Sequence, residues 1–279
     1  MSQPLVLSLF PGVDLLGMAF EQEGFCVVQG PDVIFGRDVR DFHPPAGRFD
    51  GVIGGPPCKG ESNLAKLNGR PGESMAGEFW RVVREADPVW YVMEAVLSHG
   101  AIWTRCQCCE AYQCRLHRRH AFECACPEIA EWGNLSPYVP PHVTALSPRW
   151  LGEEQSRKRY FHSNLPLAPH IEVVTFEPVA FSYAVRAANR RGAKGTVIDG
   201  QASYSLVEMK RLQGLPEDFT LPGFTVRGQE EAIGNGVPLA MGRAIARAVK
   251  LALNHGGAHA DTATQRAGDT GCAGDGRDA

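Results

Sequence analysis

Short apolar runs alternate with short amphipathic helices over residues 5–96, and this alternation constrains the fold more than any other feature of the chain. LVLSLF (5–10) is an apolar run ending in the turn Pro11-Gly12. In LLGMAFEQEG (15–24), Leu15, Met18 and Ala19 fall on one helical face, and Gly24 suits a helix end. FCVVQG (25–30) reads as a second strand, and FDGVIGGPP (49–57) as a third running into a Gly/Pro loop. GEFWRVVREADP (77–88) places Phe79, Val82, Val83 and Ala86 on one face and stops before Pro88; VWYVMEAV (89–96) follows as an apolar strand with one acid near its end. Strand–helix alternation with short links predicts a mostly parallel sheet in a doubly wound α/β fold.

The middle of the chain is different. Of nine cysteines, six lie between Cys106 and Cys126, leaving Cys26, Cys58 and Cys272 as singles. A disulfide scaffold spreads its cysteines along a small secreted chain, so dense local packing points to metal. RCQCCEAYQCRLHRRHAFECACPE (105–128) offers three ligand pairs for tetrahedral zinc: Cys106 with Cys109, Cys114 with His117, and Cys124 with Cys126. Spacing alone leaves open which four bind and whether one ion or two are held. A Pro-rich stretch (136–148) follows, then a return to strand pattern in KRYFHSN (158–164). Ser205 with Glu208 three residues on predicts a capping box, and a long amphipathic helix is expected after Pro238. Beyond Asn254 the chain has almost no large apolar residue and is expected to be a disordered tail, 255–279.

The net charge of −3 weighs against a nucleic-acid partner, but binding needs only one basic face. Basic residues do cluster, at Arg115, Arg118 and Arg119 and again at Arg186, Arg190, Arg191 and Lys194. No apolar run approaches the ~20 residues of a membrane span. The N-terminus lacks the basic start and apolar stretch of a signal peptide, so a cytoplasmic chain, nucleoid-associated when on DNA, is expected.

GGPPCKGES (54–62) puts Cys58 in a Gly/Pro loop directly after a strand, at the carboxyl end of a sheet where open α/β folds build their sites. Lys59 beside it favours the reactive thiolate. At this loop the sequence resembles a family, the DNA cytosine-C5 methyltransferases, and particularly their compact phage-type members. SLFPGVDLLGMAFEQEGF matches the cofactor-loop block, GRDVRDF the block whose Asp meets adenine, and GGPPCKGES the nucleophile block. MEAV, QSRKR (155–159), RLQGLPEDF and GNGVP match the remaining blocks in order. The resemblance covers roughly residues 5–96 and 153–250.

The resemblance implies a Rossmann-like methyltransferase fold, S-adenosylmethionine as cofactor and double-stranded DNA as partner. It implies Cys58 as the nucleophile, Glu94 at the N3/N4 edge of cytosine, Arg159 at the base oxygen and Arg157 as support for that loop, with the target base flipped out of the duplex. For the cofactor it implies Phe10, Gly12 and Asp14 from the first block, Asp32 at the ribose, Asp38 and Val39 at adenine, and Pro56, Asn235 and Val237 around the remainder. Lys59, Arg186, Arg190 and Arg191 are the expected DNA contacts, with Arg190 or Arg191 able to read guanine. Three departures stand out: Ala95 where the family has Asn, Lys59 where it has Gln, and Asp14 where many members have Gly.

The expected organisation is a catalytic domain over 1–164 and 230–254 carrying the zinc insertion 105–128, a small target-recognition region over 165–229, and a monomeric chain. A relative acting on RNA and a catalytically silent DNA binder are the rival readings.

Overall fold

In the computed structural model, the structure describes residues 3–57, 75–96, 142–174, 180–185 and 204–267, with side chains described up to Asn254. The zinc insertion, Cys58 and Lys59, and Arg186, Arg190 and Arg191 lie outside the described residues. The strands are β1 (Leu5–Leu9), β2 (Cys26–Gln29), β3 (Gly51–Gly54), β4 (Trp90–Ala95), β5 (His142–Leu146), β6 (Gln155–Ser156), β7 (Arg159–Ser163) and β8 (Ser182–Tyr183). The helices are α1 (Leu15–Gln22), α2 (Ala76–Ala86), α3 (Leu206–Gln213), α4 (Val226–Asn235) and α5 (Leu239–Ala267).

Six strands form one sheet in the order β2-β1-β3-β4-β7-β5. β1 to β4 are parallel to one another, and β7 runs antiparallel between β4 and β5. Successive residues of a strand point to opposite faces, and here alternate residues feed two separate cores. Val6, Ile53, Trp90 and Val92 pack with Leu16 and Phe20 of α1 and Met241, Ile245 and Val249 of α5. Leu7, Val52, Tyr91 and Met93 pack with Phe79, Trp80 and Val83 of α2 on the other face. Both faces of the central strands are therefore buried, which is why they read as continuous apolar runs rather than alternating ones.

A third cluster joins Leu15 and Ala19 of α1 to Met209 and Leu212 of α3, Ile233 of α4, Leu239 of α5 and Val185. The described helices of the 165–229 region thus rest on α1. The parallel pair β6–β8 ties the same region to the QSRKR segment. The Ser205–Glu208 capping box is present as the sequence predicts, and α3 stops at Gly214 in the left-handed conformation.

One boundary differs from expectation: the backbone of α5 stays helical to Ala267, past the Asn254 at which the tail was expected to begin. Adding a residue to an existing helix is far cheaper than nucleating one, so a polar segment continues a helix that a packed stretch has started. No helix among the described residues is long and apolar enough to cross a membrane.

Candidate active site

β2 and β3 lie on opposite sides of β1, so the chain reverses direction across the sheet at the carboxyl ends of β1 and β3. In open α/β sheets that reversal opens a crevice, and ligands bind there. The register shows what lines this edge. Leu9 pairs with Gly54, and Gly54 with Met93. The next residues out are Phe10, Gly55 and Glu94. Because β7 runs the opposite way, with Ala95 opposite Tyr160, it begins at this same edge and delivers Arg159 there.

The first corner of the site is the loop after β1. Phe10 (φ 53), Gly12 (φ 55) and Asp14 (φ 55) all adopt left-handed backbone. Such conformations in residues other than Gly cost of order 1–3 kcal/mol each and persist where the surroundings enforce them. The enforcement is visible. Gly12 N donates to Asp32 Oδ2 at 2.9 Å, and Ile34 N donates to Asp32 Oδ1 at 3.0 Å. Asp14 is buried at the start of α1, where its Oδ1 accepts from Ser8 Oγ at 2.7 Å and Gly17 N at 3.0 Å. Burial pushes the Asp14 carboxyl above its ordinary range, opposed by the donors Ser8 and Gly17.

Asp32 comes 20 residues after Gly12, at the end of β2, where dinucleotide folds place the acid that meets a ribose. Its two loop hydrogen bonds leave about two of a carboxylate's roughly four acceptor sites for ligand hydroxyls. Gly12 has open space where a Cβ would stand, so its backbone can be approached closely. Val33, Ile34 and Phe35 follow Asp32 with 45% or more of their surface exposed, an apolar surface that the sequence reading passed over. These residues fit an adenosyl cofactor.

Asp38 caps a three-residue turn, Val39–Asp41, accepting from Arg40 N, and pairs with the Arg40 guanidinium at 2.6 Å, which lowers its pKa to about 2. Val39 is buried in the core under α2. The GNGVP block approaches from the other side. A Cβ on Gly236 would stand 2.4 Å from Leu15 Cδ1, so this glycine lets the end of α4 touch the start of α1. Asn235 is exposed there, and Val237 is buried in the first core.

The second corner holds the acid and the arginines. Arg159 Nε donates to Glu94 Oε1 at 2.8 Å, both side chains being mostly buried. Glu94 Oε2 stands beside Gly55, 3.0 Å from where a Cβ there would be. Pro56 is buried, and Pro57 O accepts from Met75 N at 3.4 Å, so the ends of the segment that carries Cys58 meet at this edge. Arg157 is buried and donates through Nη1 to Val185 O at 2.6 Å and Gly234 O at 2.9 Å. It ties the start of β7 to the GNGVP block. Gln155 Nε2 donates to Leu212 O at 2.7 Å, and its Oε1 accepts from Val185 N. Gln213, from the RLQGLPEDF block, donates to Ile233 O and Gly236 O. Ala95, in place of the family's Asn, is buried opposite Tyr160.

One basic residue at the first corner was missed. Arg81 of α2 donates to the carbonyls of Val39 and Phe42, at 2.7 and 3.0 Å. Its sequence signal, Glu78 and Glu85 at helical spacing, reads as an ordinary solvated ion-pair face. Among the described residues no group of three or more His, Cys, Asp or Glu side chains is placed to hold a metal ion.

No family model matches the chain. The Type II methyltransferase M.FnuDI of Fusobacterium nucleatum is 27% identical over 109 residues, 33% of this chain and 32% of that protein, so the match spans about a third of the relative's length. Among solved structures, an E. coli protein described as a prophage-encoded DNA modification methyltransferase superposes with a TM-score of 0.56 at 16% identity, covering 90% of this chain and 100% of that one. The methyltransferase EhMeth of Entamoeba histolytica (TM-score 0.53, 13% identity, 91% and 99% covered) and DNMT2 of Spodoptera frugiperda (0.53, 13%, 90% and 100%) share the fold. The chain has the Rossmann-like fold of these solved methyltransferases, and over a third of its length it is similar to a Type II methyltransferase.

Proposed function

We propose that this chain methylates carbon 5 of cytosine in DNA through a covalent Cys58 adduct on a flipped-out base. The observation that carries the reading is the meeting, at one sheet edge, of the Glu94–Arg159 pair and the two ends of the Cys58 segment, beside a loop shaped for an adenosyl group.

Carbon 5 of cytosine is a poor nucleophile. The Cys58 thiolate adds to carbon 6, forming a C–S bond and pushing the ring electrons toward N3. Glu94 shares a proton with the N3/N4 edge and so accommodates that charge, while Arg159 holds Glu94 in place and faces the base oxygen. Carbon 5, now enamine-like, takes the methyl group as the sulfonium's C–S bond breaks to leave a neutral thioether; loss of the carbon-5 proton to water then restores the double bond and expels the thiolate. Phe10, Gly12, Asp14, Asp32, Asp38, Val39, Pro56, Asn235 and Val237 would hold S-adenosylmethionine, which would supply the methyl on a sulfonium. Asp32 would accept from the ribose hydroxyls. Arg157 holds the β7 start against the C-terminal block, so the acid and the cofactor loop keep their spacing. A free thiol near pH 7 is only a few per cent thiolate; lowering its pKa by one unit is worth about 1.4 kcal/mol, and Lys59 acts in that direction.

Lys59, Arg186, Arg190 and Arg191 contact DNA in this reading. Cys106, Cys109, Cys114, His117, Cys124 and Cys126 are the candidates from which the four ligands of a structural zinc are drawn, and the chain acts as a monomer. Metal analysis of the purified protein tests the zinc: one or two ions per chain support it, and a metal-free folded chain contradicts it. The reaction is tested by incubating the protein with methyl-labelled S-adenosylmethionine and either DNA or RNA, then digesting to nucleosides. Labelled 5-methyldeoxycytidine from DNA is the expected product. Label in RNA alone moves the activity to the other nucleic acid, and label in neither removes it.

A further inference from the structure

The short turn that carries Asp38 and Val39 has its own internal bonds but is tied to the helix layer from outside. Two backbone hydrogen bonds close it, Asp41 N to Asp38 O at 3.3 Å and Phe42 N to Val39 O at 3.1 Å, and Asp38 Oδ1 accepts from Arg40 N at 2.9 Å. Arg81 of α2 ties the turn to its helix: Nη2 donates to Val39 O at 2.7 Å and Nη1 to Phe42 O at 3.0 Å. The guanidinium is fixed in turn from both sides, by Glu78 through Nε at 2.8 Å and by Glu85 through Nη1 at 2.9 Å. Glu85 also accepts from His43, the residue that follows the turn, at 3.0 Å. An arginine used only for solvated ion pairs on its own helix contributes little and has no reason to face a neighbouring loop. Here a planar fork reaches two carbonyls at a set separation, which a lysine ammonium cannot reproduce.

We infer that Arg81 is a positioning residue for the adenine end of the cofactor site, fixing the Asp38–Val39 turn at its height against α2. This rests on the cofactor reading above. Val39 is already buried beneath α2, so the turn has one well-packed anchor; Arg81 provides the polar one. Without it the Val39 and Phe42 carbonyls seek water, and the turn samples heights that no longer match the ribose end set by Asp32.

The test is calorimetric titration of S-adenosylmethionine into the full chain, wild type beside Arg81→Gln, Arg81→Lys and the exposed control Arg84→Gln. Arg81→Gln is expected to raise Kd about tenfold at unchanged stoichiometry, a loss of about 1.4 kcal/mol. Arg81→Lys, able to serve one carbonyl, is expected to raise it about threefold, and Arg84→Gln to leave it unchanged. A purely structural role lowers the number of binding sites and the melting temperature but leaves Kd alone. An Arg81→Gln protein with wild-type Kd, whatever its stoichiometry, overturns the inference, as does an equal shift in Arg84→Gln. Absence of binding by the wild type instead removes the cofactor reading itself.

Discussion

The two corners of the site are built in opposite ways. At the β1 corner, left-handed backbone at Phe10, Gly12 and Asp14 is held by hydrogen bonds that Asp14 and Asp32 accept from residues nearby in the chain. At the β4–β7 corner the described backbone has no left-handed residue other than Gly, and position comes from side chains that bridge distant segments: Arg157 to Gly234, Gln155 to Leu212, Arg159 to Glu94. A site can therefore place one ligand by local loop strain and another by long-range assembly. The first is written within about 25 residues of sequence; the second exists only once the antiparallel strand has folded back.

The largest expected effect separates the corners by chemistry. Glu94→Gln keeps the shape but shares no proton, and should lower kcat about 10²- to 10⁴-fold while the Kd for S-adenosylmethionine stays within about twofold. A large change in Kd instead means the two corners are not independent. Next is Arg157→Leu, which leaves the buried acceptors Val185 O and Gly234 O without their donor. We expect about 2–4 kcal/mol of lost stability in denaturant unfolding. A near-neutral result would show that the long-range corner is held by the apolar cluster alone.

Gly236→Ala probes the contact that joins the corners. Its Cβ would overlap Leu15, so about 1–3 kcal/mol of destabilisation is expected, with weaker cofactor binding read by titration. Unchanged binding would uncouple the GNGVP block from the β1 loop.

The smallest effect concerns Asp14. Burial raises its carboxyl above the ordinary 3.8, so the folded chain holds that proton more tightly than the unfolded one. The resulting contribution is full below the unfolded value and is lost as pH rises through the folded value. Asp14→Asn keeps the oxygen that accepts from Ser8 and Gly17, and Asn tolerates left-handed backbone well. Its melting temperature should exceed that of wild type at pH 7, by a margin that shrinks as pH falls through the carboxylate range. A margin constant with pH would point to backbone strain instead.

What the sequence made legible divides along the same line. Strand and helix positions through residue 96 followed from apolar period and from the stop signals Gly24 and Pro88, because both are local. The Ser205–Glu208 cap was readable for the same reason. Gly12 facing Asp32 could be expected from a familiar spacing. Arg81 could not, because its role depends on a turn 39–42 residues earlier coming to rest on α2. Gly236 against Leu15 was hidden likewise, since a close approach between segments more than 200 residues apart has no local signature. The helical backbone through Ala267 escaped a reading that weighed composition without the helix already running into it.

The central claim, covalent chemistry at Cys58, is tested most directly by trapping. Protein and S-adenosylmethionine are mixed with DNA that carries 5-fluorocytosine in every short sequence context, beside Cys58→Ser. Fluorine at carbon 5 leaves no proton to lose, so the enzyme stays attached to the base. A denaturation-resistant adduct with the wild type and none with Cys58→Ser is the predicted result. A folded, cofactor-bound wild type that forms no adduct in any context, or a Cys58→Ser protein that forms one equally well, would contradict the account.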